Sequence, residues 1–139
     1  MDKQFKSLKE KIAFEKAERA ARYAAFETIW NEAIAAGYAA GDHMTPRPMV
    51  VQDGFTGAVV DYVTEGLCGF AWVNVKGANK GFGRWLIQTG RAHRAYYGGA
   101  EVWISAHNQS YERKLKHAQV MAYVLKENGV ECYASGRLD

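Results

Sequence analysis

The stretch GLCGFAWVNVKGANKGFGRWLIQTGRAHRAYYGGA, residues 66–100, decides how this chain folds. Its opening run, Leu67–Lys76, has apolar side chains on both alternating sets of positions. Phe70, Trp72 and Asn74 share one side, and Gly69, Ala71, Val73 and Val75 share the other, the mark of a central β-strand. A glycine loop follows. Asn79 is the expected N-cap of a short helix from Lys80 to about Thr89, and Gly90 supplies a left-handed stop. Gly98-Gly99 then leads into a further strand, Ala100–Ala106.

Upstream, residues 3 to about 40 read as helix, because Ala, Glu, Lys and Arg dominate and no Pro or Gly intervenes before Gly37. From Tyr23 the positions Tyr23, Phe26, Trp30, Ala33 and Gly37 recur at steps of three and four, the stripe of a helix that docks on a core. Phe5, Leu8 and Ile12 begin a similar seam, which Glu15 and Arg19 break. Residues 1–20 are therefore expected to form a solvated helical arm, and residues 21–139 a single α+β domain. A partner-binding or homo-oligomerising arm is the sharper alternative. Gly37 and Gly41 are expected to end the helix. After a loop fixed by Pro46 and Pro48, Met49–Gln52 and Thr56–Val63 read as strands around Asp53-Gly54, a dipeptide suited to a tight hairpin turn.

Downstream, a helix is expected from about Gln109 to Asn128, capped by Ser110 or Asn108, with the stripe Tyr111, Leu115, Ala118, Ala122 and Leu125. Glu112 and Lys116 are spaced as an ordinary ion pair on it. A short strand, Val130–Ser135, precedes the tail. Two helical crossovers can each join parallel neighbours. The expected fold is thus α+β: a long N-terminal helix, then a mixed β-sheet of about five strands with two further helices packed on it.

At 139 residues, 48% apolar and 24% charged, the chain has the composition of one globular domain with a real core. It opens with DKQFKSLKEK and contains no long apolar run, so neither a secretory signal nor a membrane span is expected, and the cytosol is the expected location. Cys68 and Cys132 lack CxxC spacing and read as buried free thiols.

The chemistry concentrates in the opening stretch. It holds Lys76, Lys80, Arg84, Arg91 and Arg94 and no acid, whereas the chain as a whole carries 18 cations against 15 acids. Glycines and the aromatics Phe82, Trp85, Tyr96 and Tyr97 are interleaved with these cations, a composition suited to an anion bearing a flat group. A Gly-rich turn from a strand into a helix also lets backbone N–H groups approach a phosphate. Neither GxxxxGK[ST] nor GxGxxG is present. Lys80, Arg84 and Gln88 can share one exposed helical face. Gln109 and Arg113 open the second helix after the C-terminal end of a strand and join the candidate site. The ligand-binding set is therefore Lys76, Asn79, Lys80, Arg84, Trp85, Arg91, Arg94, Tyr96, Gln109 and Arg113. Trp85 beside Leu86 and Phe82 also fits the core.

Nothing here amounts to a catalytic motif. His43, His93, His107 and His117 show no zinc-ligand spacing, and no serine stands in a GxSxG elbow. His107 follows a strand, where general bases do occur. No metal and no cofactor is expected.

The runs EGLCGFAWVNVKG, YYGGAEVWIS, QSYERK and YASGRLD resemble those of a family of small, functionally uncharacterised proteins of tailed bacteriophages, from about Phe26 to the end. That resemblance implies a phage accessory protein acting in the host bacterial cytoplasm, and it supplies no activity. Three readings follow. The first is a non-enzymatic binder of a nucleotide-like, phosphate-bearing small molecule, in an anti-defence role that sequesters a host signalling nucleotide. The second is a single-stranded nucleic-acid-binding protein. The third is a protein-binding inhibitor of a host enzyme that works through the N-terminal arm. A net charge of only +3 with a locally concentrated basic stretch favours the compact ligand.

Overall fold

A computed structural model describes residues 5–139. Residues 1–4 of the expected arm lie outside the described residues. Helix α1 (Leu8–His43) begins at Ser7, whose side chain accepts the Glu10 N–H. From Trp30 onward it buries Trp30, Ala33, Gly37 and Gly41, while Tyr23 and Phe26 pack against the core edge. The residues from Glu15 to Arg22 are exposed.

The α+β architecture is as the sequence indicates, with three helices and an open sheet among the described residues. Strands β1 (Met49–Gln52) and β2 (Val59–Val63) form a separate antiparallel hairpin. Its turn includes Gly54, as expected, but is wider than two residues and runs over 54–56. The Asp53 carboxylate accepts N–H groups from Phe55 and Thr56, at 2.8 and 2.9 Å, and Gly57 takes the positive φ.

The main sheet has the order β4-β5-β3-β6, where β3 is Gly69–Val75, β4 is His93–Arg94, β5 is Ala100–Trp103 and β6 is Cys132–Leu138. Every pairing is antiparallel, so the mixed sheet expected from two crossovers does not form. Strands β5 and β6 do run parallel to each other across helix α3 (Tyr111–Glu127), but β3 lies between them and faces both in the opposite sense. The tail expected after a strand at Val130–Ser135 is instead the second half of β6. Gly136 sits where a side chain would meet the Phe70 carbonyl at 2.8 Å, and Arg137 pairs with Phe70.

Helix α2 (Gly81–Gln88) starts one residue later than expected. Lys80, not Asn79, occupies its N-cap, and no side chain caps it. Ser110 caps α3, accepting the Arg113 N–H. Ala71, Val73 and Val75 of β3 are buried together with Trp30 and Ala33 of α1, Phe82, Trp85 and Leu86 of α2, and Ala118, Met121 and Leu125 of α3. All three helices thus bury their apolar residues on one face of the sheet. Cys132 joins this core and Sγ reaches the Ala122 carbonyl, whereas Cys68 is exposed, against the expectation that both thiols are buried.

Gly37 and Gly41 do not end α1; they lie inside it. A Cβ at Gly37 would stand 2.5 Å from the His117 ring, and one at Gly41 would collide with the His107 ring. The glycines are there to let α1 approach two histidines. In an exposed helix Gly→Ala gains about 1 kcal/mol. Gly37→Ala should instead lower the melting temperature, since forcing a methyl into a filled site costs roughly 1–3 kcal/mol. Thermal denaturation by circular dichroism checks this, and a raised melting temperature would contradict the close approach.

Candidate nucleic-acid interface

Strand alternation sends alternate residues to the side of the sheet that the helices leave uncovered. The pairings arrange them in rows. Trp103 and Ser135 flank Trp72, Arg137 stands beside Phe70, and Glu101 and Tyr133 flank Asn74. Trp72 and Trp103 stack with centroids 4.8 Å apart and an interplanar angle of 27°, and Phe70 meets Trp103 edge-on at 5.9 Å. Trp103 is 39% exposed and Tyr133 54%, a large aromatic area for a strand face to leave to water.

Cations stand at one end of this surface. The Arg137 guanidinium lies 5.4 Å from the Phe70 ring centroid, and the Lys114 ammonium, reaching it from α3, lies 5.8 Å away. Neither makes an ion pair with a described residue. Each gains a modest cation–π attraction; Arg137 is exposed and keeps its N–H donors available, whereas Lys114 is buried, with 6% of its surface exposed. The Trp103 indole donates to Glu101, which also faces His93.

The fold disperses the ten residues singled out from sequence. Asn79, Arg84 and Arg94 do come together, with Gln88, around a cleft of about 260 Å³ that no acid lines. Arg94 donates to Asn79 Oδ1 at 2.7 Å. Because Arg94 pairs with Ala100, which faces the core side, this cleft lies on the helix side of the sheet and away from the aromatic rows. Lys80 is exposed nearby at the helix start, outside the residues lining the cleft. Trp85 is 4% exposed and belongs to the core, packed on Phe26 and Phe82, so it offers no stacking surface. Arg91 lies 4.4 Å over the Trp85 ring and pairs with Glu27 at 3.3 Å, so its charge is committed.

Arg113 is also committed. It pairs with Glu65 at 2.7 Å and donates to the Gly41 and Asp42 carbonyls, closing the C-terminal end of α1. Gln109 is exposed and its carbonyl holds the Gly69 N–H. Glu112 binds Arg47 rather than Lys116; the Arg47 backbone N–H above all keeps its carboxyl below the usual range. Lys76, paired with Glu131 at 3.4 Å, and the exposed Tyr96–Tyr97 pair stand near the Asn74 end of the open face, where Lys76 and Tyr97 line a cavity with Asn74. The glycine loop has a packing reason: a side chain at Gly83 would collide with the Gly77 carbonyl.

Sequence reasoning missed Trp103, Tyr133, Lys114 and Arg137. Alternation within AEVWISA and CYASGRL carried the signal, once one asks which face three helices would cover. It also set aside a contact that the fold makes. His107 Nε2 lies 3.0 Å from His117 Nδ1, and His107 Nδ1 lies 3.3 Å from Asp42. His107 adopts a positive φ of 68°, and Asn108 one of 53°, which costs backbone energy that the buried pair offsets. Among the described residues no group of three or more His, Cys, Asp or Glu side chains suits a metal ion.

No protein-family model matches the chain, and neither a curated protein nor a solved structure does. No helix of the described residues is long and apolar enough to cross a membrane.

Burial, assisted by neighbouring His107, pushes the His117 pKa down to about 4 from 6.5. The folded state therefore holds His117 neutral where the unfolded chain would protonate it. Stability should fall as pH drops from about 6.5 to about 4, by on the order of 3 kcal/mol from this group. Urea denaturation across that range measures the slope, and His117→Leu should flatten it; an unchanged slope would remove His117 as its source.

Proposed function

We propose that the protein binds single-stranded nucleic acid on the open face of its sheet. The observation that carries this reading is the aromatic surface of Phe70, Trp72 and Trp103 with the exposed Arg137, which makes no ion pair with a described residue, at its Phe70 end. Bases stack on such rings whatever their identity, and cations beside them meet the phosphates. Positions two residues apart on β3 are about 6.8 Å apart, so Phe70, Trp72 and Asn74 offer successive contacts along an extended strand. In the setting implied by the resemblance to tailed-phage proteins, this is an accessory role in the bacterial cytoplasm.

A second reading has its own observation. The acid-free cleft of Asn79, Arg84 and Arg94 favours a compact phosphate-bearing ligand such as a nucleotide. The two readings use opposite sides of the sheet, so variants separate them. With a fluorescent oligonucleotide followed by anisotropy, Trp103→Ala should cost about 1–3 kcal/mol of affinity. Arg137→Ala should weaken binding and lower the salt slope by about 1. Arg84→Ala should leave oligonucleotide affinity unchanged. Loss of binding through Arg84→Ala alone, together with a melting temperature raised by mononucleotides, would make the cleft the site instead.

A further inference from the structure

On the helix side of the sheet lies a smaller cavity that neither reading uses. It encloses about 150 Å³ between α1, α3 and the chain from Val102 to Ala106. Trp30, Ile34, Val102, Ile104 and Met121 make its wall apolar, and Tyr38, 45% exposed, carries the lining out to the surface. Among the described residues no Lys, Arg, Asp or Glu lines it. The volume sets the size of an occupant: an apolar cavity of about 150 Å³ takes up a single benzene ring, whereas sites for larger ligands span roughly 300–1,000 Å³.

One polar ring interrupts the apolar wall. His117 also lines the cavity, and only 3% of its surface is exposed. Its two nitrogens differ. Nδ1 lies 3.0 Å from His107 Nε2, and His107 Nδ1 lies 3.3 Å from Asp42 Oδ1. Nε2 has no hydrogen-bond partner among the described residues, yet no side-chain nitrogen or oxygen among them is both unpartnered and shut off from solvent. Nε2 is therefore reached from outside, through the cavity that its ring lines. Gly37 approaches the same edge of the ring and brings no side chain to it; a Cβ there would stand 2.9 Å from Nε2. The hydrogen-bond chain fixes what Nε2 offers. A carboxylate accepts, so His107 Nδ1 carries its proton toward Asp42. With both rings neutral, His107 Nε2 then accepts from His117 Nδ1, and His117 Nε2 is left with a lone pair. Burial holds His117 in that neutral form, with its pKa lowered to about 4.

We propose that this cavity binds a small hydroxylated aromatic molecule, a single phenol-type ring whose O–H donates to His117 Nε2. The apolar wall takes the ring, and the lone pair takes the hydroxyl proton. A ring of the same size without a donor fills the space but leaves Nε2 unpaired once water is displaced. A carboxylate or phosphate finds no cation in the wall and turns a negative oxygen toward a lone pair. The site is independent of the open face and of the Asn79–Arg84–Arg94 cleft, because it lies between α1, α3 and the end of β5.

The test uses the full chain with phenol and toluene, which are close in size and differ by a hydroxyl against a methyl. Binding is followed through the methyl signals of Ile34, Ile104 and Met121, and the state of His117 through its Nε2 ¹⁵N signal. Toluene leaves water more readily, so an apolar cavity without an acceptor prefers it. The wild type should instead bind phenol at least as tightly as toluene, and phenol alone should move the Nε2 signal toward that of a hydrogen-bonded nitrogen. His117→Leu should lower the ratio of phenol to toluene affinity by about tenfold. Because His117 also seats α1, Tyr38→Ala provides a second variant at an exposed side chain, and it should weaken both compounds by about fivefold through loss of an aromatic wall. Preference for toluene in the wild type, an Nε2 signal unmoved by saturating phenol, or an unchanged affinity ratio in His117→Leu would overturn the hydrogen bond and with it the proposal. Methyl signals that respond to neither compound, or phenol affinity unchanged in Tyr38→Ala, would overturn the cavity as the site.

Discussion

Burial of Ala71, Val73 and Val75 under three helices is the constraint on which the rest of the structure depends. These side chains are small, so α3 lies directly on β3; α2 packs beside it on β4 and β5, α1 lies against α3 and α2, and together they make one core from Trp30, Trp85, Leu86, Met121 and Leu125. A sheet that spends every helix on one face leaves the other to water. The open face is therefore a consequence of how the core is built. Its aromatic content is what needs a functional reason, because Trp72 and Trp103 would pack as well inside and gain more by it.

The second dependency is the seat of α1 on α3. Two glycines one helical turn apart admit the rings of His117 and His107, which touch each other, and His107 reaches Asp42 near the end of α1. Arg113 closes the same helix end through the Gly41 and Asp42 carbonyls. Buried polar groups of this kind are costly unless satisfied, and here they tie the long helix to one register on α3. That fixes the layer whose underside is the open face.

Much of the fold was legible in the sequence because periodicity reports local burial. β3, the docking stripe of α1 and the stripe of α3 were each visible as patterns of apolar residues. What was hidden depended on partners distant in the chain. Gly37 and Gly41 look like stop signals until His117 and His107 are seen beside them. The tail of β6 looks like a loop until Gly136 is seen against Phe70. The candidate site suffered most. A run of cations in sequence reads as one surface, but Lys76 lies with Asn74 near the open face and Arg94 on the helix side, and the core takes Trp85 and, through it, Arg91. Only the Asn79–Arg84–Arg94 group survived as a spatial cluster.

The chain's four tryptophans give the most direct test of whether the open face meets nucleic acid. Trp30 and Trp85 are buried in the core, and Trp72 and Trp103 lie on the bare side of the sheet. In a ¹⁵N–¹H correlation spectrum the four indole N–H signals can be followed during titration with a single-stranded oligonucleotide. The account predicts that the Trp72 and Trp103 signals move together and saturate while those of Trp30 and Trp85 stay in place. Binding that leaves the Trp72 and Trp103 signals unmoved, with shifts confined to the side-chain amides of Asn79 and Gln88, would contradict it.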